Sequence, residues 1–136
     1  MAVLVPELMV ADICRSVAFY RDELGFRVMW ERPKKRFAYL GRDGAEIMLE
    51  QAVGRHFLAG LLEYPNGRGM NLQIRVPDVE ALHRAVLANG ALIRLPMEVK
   101  WYRTGNFLSC NRQFVVIDPD GYLLRFYTDL GGRADD

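Results

Sequence analysis

Apolar residues recur along this chain with two different periods, and each period appears twice. In VADICRSVAFYRDELGFRV, residues Ile13, Val17, Tyr20 and Leu24 fall at helical spacing; in VPDVEALHRAVLANGALIRL, residues Val79, Leu82 and Val86 do the same. Each run follows an apolar strand ending in valine (Val10, Val76), opens on an aspartate placed to cap the helix (Asp12, Asp78) and closes on a glycine suited to a left-handed stop (Gly25, Gly90). The two halves share one grammar, which predicts an internal duplication.

The period-two stretches repeat as well. GRDGAEIML and IDPDGYLLRF each put Asp-Gly (Asp43-Gly44, Asp120-Gly121) at a turn that opens a strand, which predicts hairpins. The first copy reads as a strand near 3–10, a helix near 13–24 and strands near 26–31, 36–41 and 45–51. The second reads as a strand near 69–76, a helix near 79–89 and strands near 91–97, 112–118 and 122–128. The glycine-to-glycine interval is longer in the second copy, so an extra loop is expected from about Glu98 to Asn111. Residues 52–68 join the copies, read as a short helix and a Pro-Asn-Gly turn. The expectation is an α+β chain, one domain over 1–136, built of two βαβββ modules at 1–51 and 69–130.

Composition narrows the partners. The 136 residues carry 18 Lys and Arg against 17 Asp and Glu, with no block of like charge, so neither a nucleic-acid nor a membrane surface is expected. Cys14 and Cys110 are far apart and form no CxxC pattern, which argues against a disulfide framework or a thiolate metal site and makes a reducing cytoplasm the default. The segment MAVLVPELMVAD lacks a basic leader region, and no apolar run approaches the length of a membrane span. A small neutral or mixed-charge partner fits best.

One strand poses a chemical question. In IDPDGYLLRFY, alternation puts Leu124 and Phe126 on one face and Leu123, Arg125 and Tyr127 on the other. An arginine between Leu123 and Tyr127 suits neither open solvent nor a dry core; a semi-polar cavity accommodates all three.

VPELMVADICRSVAFYRDELGF near the start and RQFVVIDPDGYLLRF near the end resemble the glyoxalase, bleomycin-resistance protein and extradiol-dioxygenase superfamily, the vicinal-oxygen-chelate fold. The resemblance implies paired βαβββ modules whose strands curve into a cup-shaped mixed sheet, commonly in a homodimer. Enzymes of the superfamily hold a divalent metal through four inward positions, usually His, Glu or Gln. Those positions align here with Val5, Met48, Asn71 and Arg125, none a usual ligand and one a cation. His56, in the linker, and His83, in the second helix, align with none of them. Glu7, Glu46 and Glu50 share the parity of Val5 and Met48, and an unconventional site built on them is the alternative.

Without metal or other cofactor, the Lewis-acid chemistry of the glyoxalases and dioxygenases has no basis, and the resemblance implies the bleomycin-resistance branch, which sequesters its ligand in grooves at a dimer interface. Trp30 and Phe37 align with aromatic positions of that branch, Tyr39 shares the parity of Phe37, and KWYRTGNF concentrates Trp101, Tyr102, Arg103 and Phe107 in the extra loop. These aromatics either stack a flat ligand or pack on the sheet or a partner subunit. Gln73 replaces an aromatic of that branch, and Arg75, Arg103 and Arg125 favour an anionic or carbonyl-rich ligand over a cationic drug. The expected function is metal-independent binding of a small aromatic or antibiotic-like molecule by a homodimer. The expected site comprises Trp30, Phe37, Tyr39, Met48, Asn71, Gln73, Trp101, Tyr102, Arg103 and Arg125, with no catalytic residue. The alternative is a lyase or oxidoreductase working through an unconventional metal or a carboxylate such as Glu7 or Glu50.

Overall fold

The computed structural model describes residues 1–53 and 56–134. Two compact units divide the chain: one holds Met1–Arg68 with Asp118–Tyr122, the other Gly69–Ile117 with Leu123–Asp136. Each carries a four-stranded mixed sheet of the same topology, which makes the chain α+β and duplicated.

In the first unit the order is β1 (Glu7–Val10), β4 (Ala45–Gln51), β3 (Phe37–Arg42), β2 (Arg27–Arg32). β1 runs parallel to β4, with Glu7 opposite Met48, and the remaining pairs are antiparallel. The expected strand at 3–10 shortens to 7–10, and Pro6, which has no N–H to give, uses its carbonyl to accept from Met48 instead (2.8 Å). The Asp12 carboxylate caps α1 (Ile13–Ala18) by accepting from the Arg15 N–H at 3.2 Å. The helix expected to Leu24 then widens into a π-helical turn, Phe19–Glu23, where the Leu24 N–H reaches the Phe19 carbonyl five residues back. That turn buries Phe19 and Tyr20, with Leu24 after them; Leu40 and Leu49 of the sheet are fully buried as well. Each such side chain contributes roughly 1.5–3 kcal/mol by leaving water. Between β3 and β4, Asp43 (φ 49°) and Gly44 (φ 87°) form the expected two-residue turn with both centres left-handed.

The DPDGY segment belongs to this first unit. Asp118 Oδ1 accepts from the N–H groups of Asp120 and Tyr122 (both 2.9 Å), while Asp120 accepts from the Ala11 N–H (2.9 Å) and the Ser16 hydroxyl (3.2 Å). Gly121 must be glycine: its φ is +92°, and a Cβ there would lie 2.5 Å from the Pro65 Cα. No helix forms among the described residues of the 52–68 linker, which correct that expectation; Gly54 and Arg55 lie outside the described residues.

The second unit orders β5 (Leu72–Arg75), β8 (Leu123–Ala134), β7 (Phe107–Ile117), β6 (Leu92–Thr104), with β5 parallel to β8. α2 (Val79–Ala88) is capped by Asp78, whose carboxylate accepts from the Ala81 N–H at 3.0 Å, and it buries Val79, Leu82 and Val86. The expected loop from Glu98 to Asn111 is instead strand: β6 and β7 pair continuously from Glu98–Gln113 out to Thr104–Phe107 and turn at Gly105-Asn106. KWYRTGNFLSC alternates like a strand, and its aromatics favour a pleated surface. β8 lengthens to match, six residues beyond its expected end. Among the described residues no helix is long and apolar enough to cross a membrane.

Candidate functional site

Ile13 donates its N–H to Gln51 (3.1 Å), so the β4 face carrying Gln51, Leu49 and Ile47 is the one α1 covers. The other face of the first sheet gathers Glu7, Met48, Tyr39 and Trp30 in one register line, with Glu50, Phe37 and Arg32 in the next. Trp30 stacks on Tyr39 (centroids 5.0 Å, 12° between planes) and tilts against Phe37 (5.4 Å, 32°). The Arg32 guanidinium sits 4.9 Å from the ring centres of both Trp30 and Phe37. Phe37 and Tyr39 are buried, whereas Trp30 remains 38% exposed. The three predicted aromatics thus make one platform in which only Trp30 can meet a ligand; the other two hold its indole flat.

Charge beside the platform is perturbed. Glu7 is pushed up from 4.5 to about 7, first by a hydrogen bond with the Glu50 carboxyl, then by burial and by the charge of Glu50. Burial raises Tyr39, reinforced by the negative charge of Glu46, which accepts the Tyr39 hydroxyl at 3.2 Å.

In the second sheet His83 of α2 meets Phe114 edge to face (4.9 Å), which identifies the covered face and makes His83 a packing residue. The opposite face holds Gln73, Arg125, Tyr127 and Gln113 in neighbouring register positions, with Tyr102 and Asn111 further along the hairpin. These groups, except Gln113, line a cavity of about 320 Å³ together with Thr104, Ser109 and Asp129. Arg125 thus lies on the face predicted for it, and its Nη2 donates to Gln73 Oε1. Leu124 and Phe126, its sequence neighbours, are fully buried on the helix side. The buried Gln113 amide donates to Glu98 at 2.8 Å and to the Tyr102 hydroxyl oxygen at 2.6 Å.

Not every predicted residue joins these two faces. Trp101 and Arg103 alternate with Tyr102 and so point to the other side of β6, where Arg133 lies 5.2 Å from the Trp101 ring centre. Trp101, Tyr102 and Arg103 therefore do not act together as one loop segment, because they belong to a strand. Val5 and Asn71 precede β1 and β5. Sequence reasoning missed Arg32, Gln113 and Asn111; period-two counting from Trp30 reaches Arg32, but the other two required the extended hairpin. A cavity of about 440 Å³ at the β3–β4 turn is lined by none of the ten expected ligand contacts but does include Glu46 of the alternative carboxylate set, and Arg42 there is engaged by the Leu24 carbonyl (2.8 Å) and Asp43.

The donor set at the four metal-equivalent positions, an isopropyl, a thioether, a carboxamide and a guanidinium, does not suit a divalent ion. Among the described residues no three His, Cys, Asp or Glu side chains converge in a metal-holding group.

Comparison with known proteins places this geometry. The family described as Glyoxalase/Bleomycin resistance protein/Dioxygenase superfamily matches residues 3–126. A lactoylglutathione lyase of Haemophilus influenzae is 30% identical over 139 residues, covering 98% of this chain and 97% of its own. Among solved structures, TioX from Micromonospora sp. ML1 is 27% identical, covers 96% of this chain and 100% of its own, and superposes with a TM-score of 0.69. A protein of unknown function from Agrobacterium tumefaciens str. C58 is 25% identical over 96% of this chain and 95% of its own, also with a TM-score of 0.69. The chain belongs to the glyoxalase/bleomycin resistance protein/dioxygenase superfamily.

Proposed function

We propose that this protein binds a small, flat, carbonyl-bearing or anionic molecule without a metal, in the manner of the resistance-type members of its superfamily. The observation that carries the reading is Trp30: a half-exposed indole held flat by two buried aromatics, with a guanidinium over its ring. A solvated surface does not require three aromatics in register to fix one indole, whereas a stacking platform does. Arg32 has no carboxylate partner in the described residues, so its N–H edges are available to a carbonyl or an anion lying on the same platform. Met48 borders the platform as an adaptable apolar contact; Gln73, Tyr102 and Arg125 belong to the second unit and line a separate cavity there. Trp101 and Arg103 serve better as subunit contacts than as ligand contacts.

We place the protein in the cytoplasm as a homodimer. The outer strands β2 and β6 have one unpaired edge each, and Val99, Trp101, Phe107 and Leu130 leave apolar surface exposed along the hairpin. A Trp101→Phe variant leaves Trp30 as the sole tryptophan, and titration with naphthamide in the presence of a chelator tests the reading. Saturable quenching supports it; unchanged emission counts against it.

A second reading, a metal-free proton-transfer enzyme, is favoured by Glu7, whose carboxyl titrates near neutrality beside Glu50, and by the likeness to a relative named lactoylglutathione lyase. Turnover abolished by Glu7→Gln would favour it over simple binding.

A further inference from the structure

The 320 Å³ cavity of the second unit is lined mostly by polar side chains, among them Gln73, Tyr102, Asn111 and Arg125. Its cation is Arg125. Gln73 takes one N–H of that guanidinium, no carboxylate among the described residues pairs with it, and its Nε is shielded from solvent with no acceptor there. Among the described residues that Nε is the buried side-chain nitrogen or oxygen without a partner. A native fold tolerates such a group where something absent completes it.

A second donor follows from the bonding chain next to it. The Gln113 amide turns its nitrogen toward Glu98, whose carboxyl oxygen accepts from it, and the same nitrogen also donates to the Tyr102 oxygen. Both Gln113 N–H groups are then spent, and the Tyr102 hydroxyl is an acceptor there. Its own proton is free to point into the cavity that Tyr102 lines. Asn111 and Tyr127 line the same space. Asp129, the acid in the lining, already accepts the Gly131 N–H at 2.8 Å.

We infer that this cavity is a carboxylate-binding site, with the Arg125 guanidinium as the charged fork and the Tyr102 hydroxyl as a second donor. A planar carboxylate matches the planar fork, can complete the vacant Nε–H and a neighbouring N–H together, and leaves its second oxygen for Tyr102. Gln113 and Glu98 are positioning residues: they set the direction of the Tyr102 proton without touching the ligand. This deepens the binding reading by naming the ligand class, an organic acid, and it rests on the protein being a small-molecule binder.

The test compares naphthoate with naphthamide, which share a ring system and differ in the charged group. Heteronuclear NMR follows the Arg125 Nε–H and Trp30 indole N–H signals in one titration of the full chain. Naphthoate should move the Arg125 signal and bind roughly tenfold or more tightly than naphthamide, as expected for charge-assisted bonds. Arg125→Gln should erase that preference, Arg125→Lys should keep part of it, and Tyr102→Phe should weaken naphthoate severalfold while leaving naphthamide unchanged. Melting curves check that each variant folds; should Arg125→Gln fail to fold, Arg125→Lys and Tyr102→Phe carry the test. An Arg125 signal that stays still, or equal affinity for the two probes, overturns the inference. If naphthamide moves the Trp30 signal in that case, the platform reading survives alone; if Arg125 responds and Trp30 does not, the carboxylate site survives and the platform falls.

Discussion

The Tyr20 hydroxyl donates to the Asp118 carboxylate at 2.7 Å, joining two residues 98 positions apart inside the core of the first unit. Asp118 is almost fully buried, and burial raises its carboxyl above the usual range against the pull of its three donors. The two sequence motifs with the strongest family flavour, the FY of the first helix and DPDGY, are therefore halves of one structural network. Neither belongs to the candidate site.

Tyr20→Phe removes one of those donors and leaves the buried carboxylate short. The expected cost is about 1–3 kcal/mol of stability, read as a lower urea midpoint at unchanged slope. A midpoint equal to wild type would mean that Asp118 is held by its backbone donors alone.

The Glu7–Glu50 pair makes stability depend on pH. Glu7 binds its proton more tightly in the folded chain (about 7) than at its ordinary value of 4.5, so between those values the folded state holds more protons than the unfolded. Stability from this group is therefore full below pH 4.5 and lost as pH rises through 7. Glu7→Gln should flatten that decline and raise the melting temperature at neutral and alkaline pH. Parallel melting-versus-pH curves for the two proteins would contradict the raised Glu7 carboxyl.

Trp101 and its apolar neighbours on the hairpin give the dimer its test. The purified protein should migrate as a dimer at micromolar concentration, and Trp101→Lys should shift it toward monomer without unfolding it. Native mass spectrometry distinguishes the two; a wild-type monomer would remove the reason given for the exposed hairpin surface.

The sequence exposed some of this and hid the rest for physical reasons. Asp12, Gly25, Asp78 and Gly90 bracket their helices because caps and left-handed stops depend on local chemistry. Parity put Arg125 opposite Leu124 and Phe126, and Tyr39 beside Phe37, because a strand has no other option, whereas Trp30 came from the family resemblance. The π-helical turn at Phe19–Glu23 escaped because its fifth-neighbour bonding leaves the apolar spacing nearly unchanged. The hairpin from Glu98 to Asn111 escaped because its far half is exposed, so its aromatics looked like a lid and no buried face marked the strand. That error carried Trp101 into the predicted site beside Tyr102, when one step of alternation sends them to opposite sides.

The central claim is that Trp30 is a binding surface and not a packing residue, and a calorimetric titration of Trp30→Ala with naphthamide, in chelator, tests it most directly. Binding should weaken by about 1–3 kcal/mol relative to wild type, with the urea midpoint little changed, because the exposed indole faces the ligand and its removal leaves Phe37 and Tyr39 in place. A lowered urea midpoint with unaltered affinity would contradict the account, since that is how an indole present only for packing behaves.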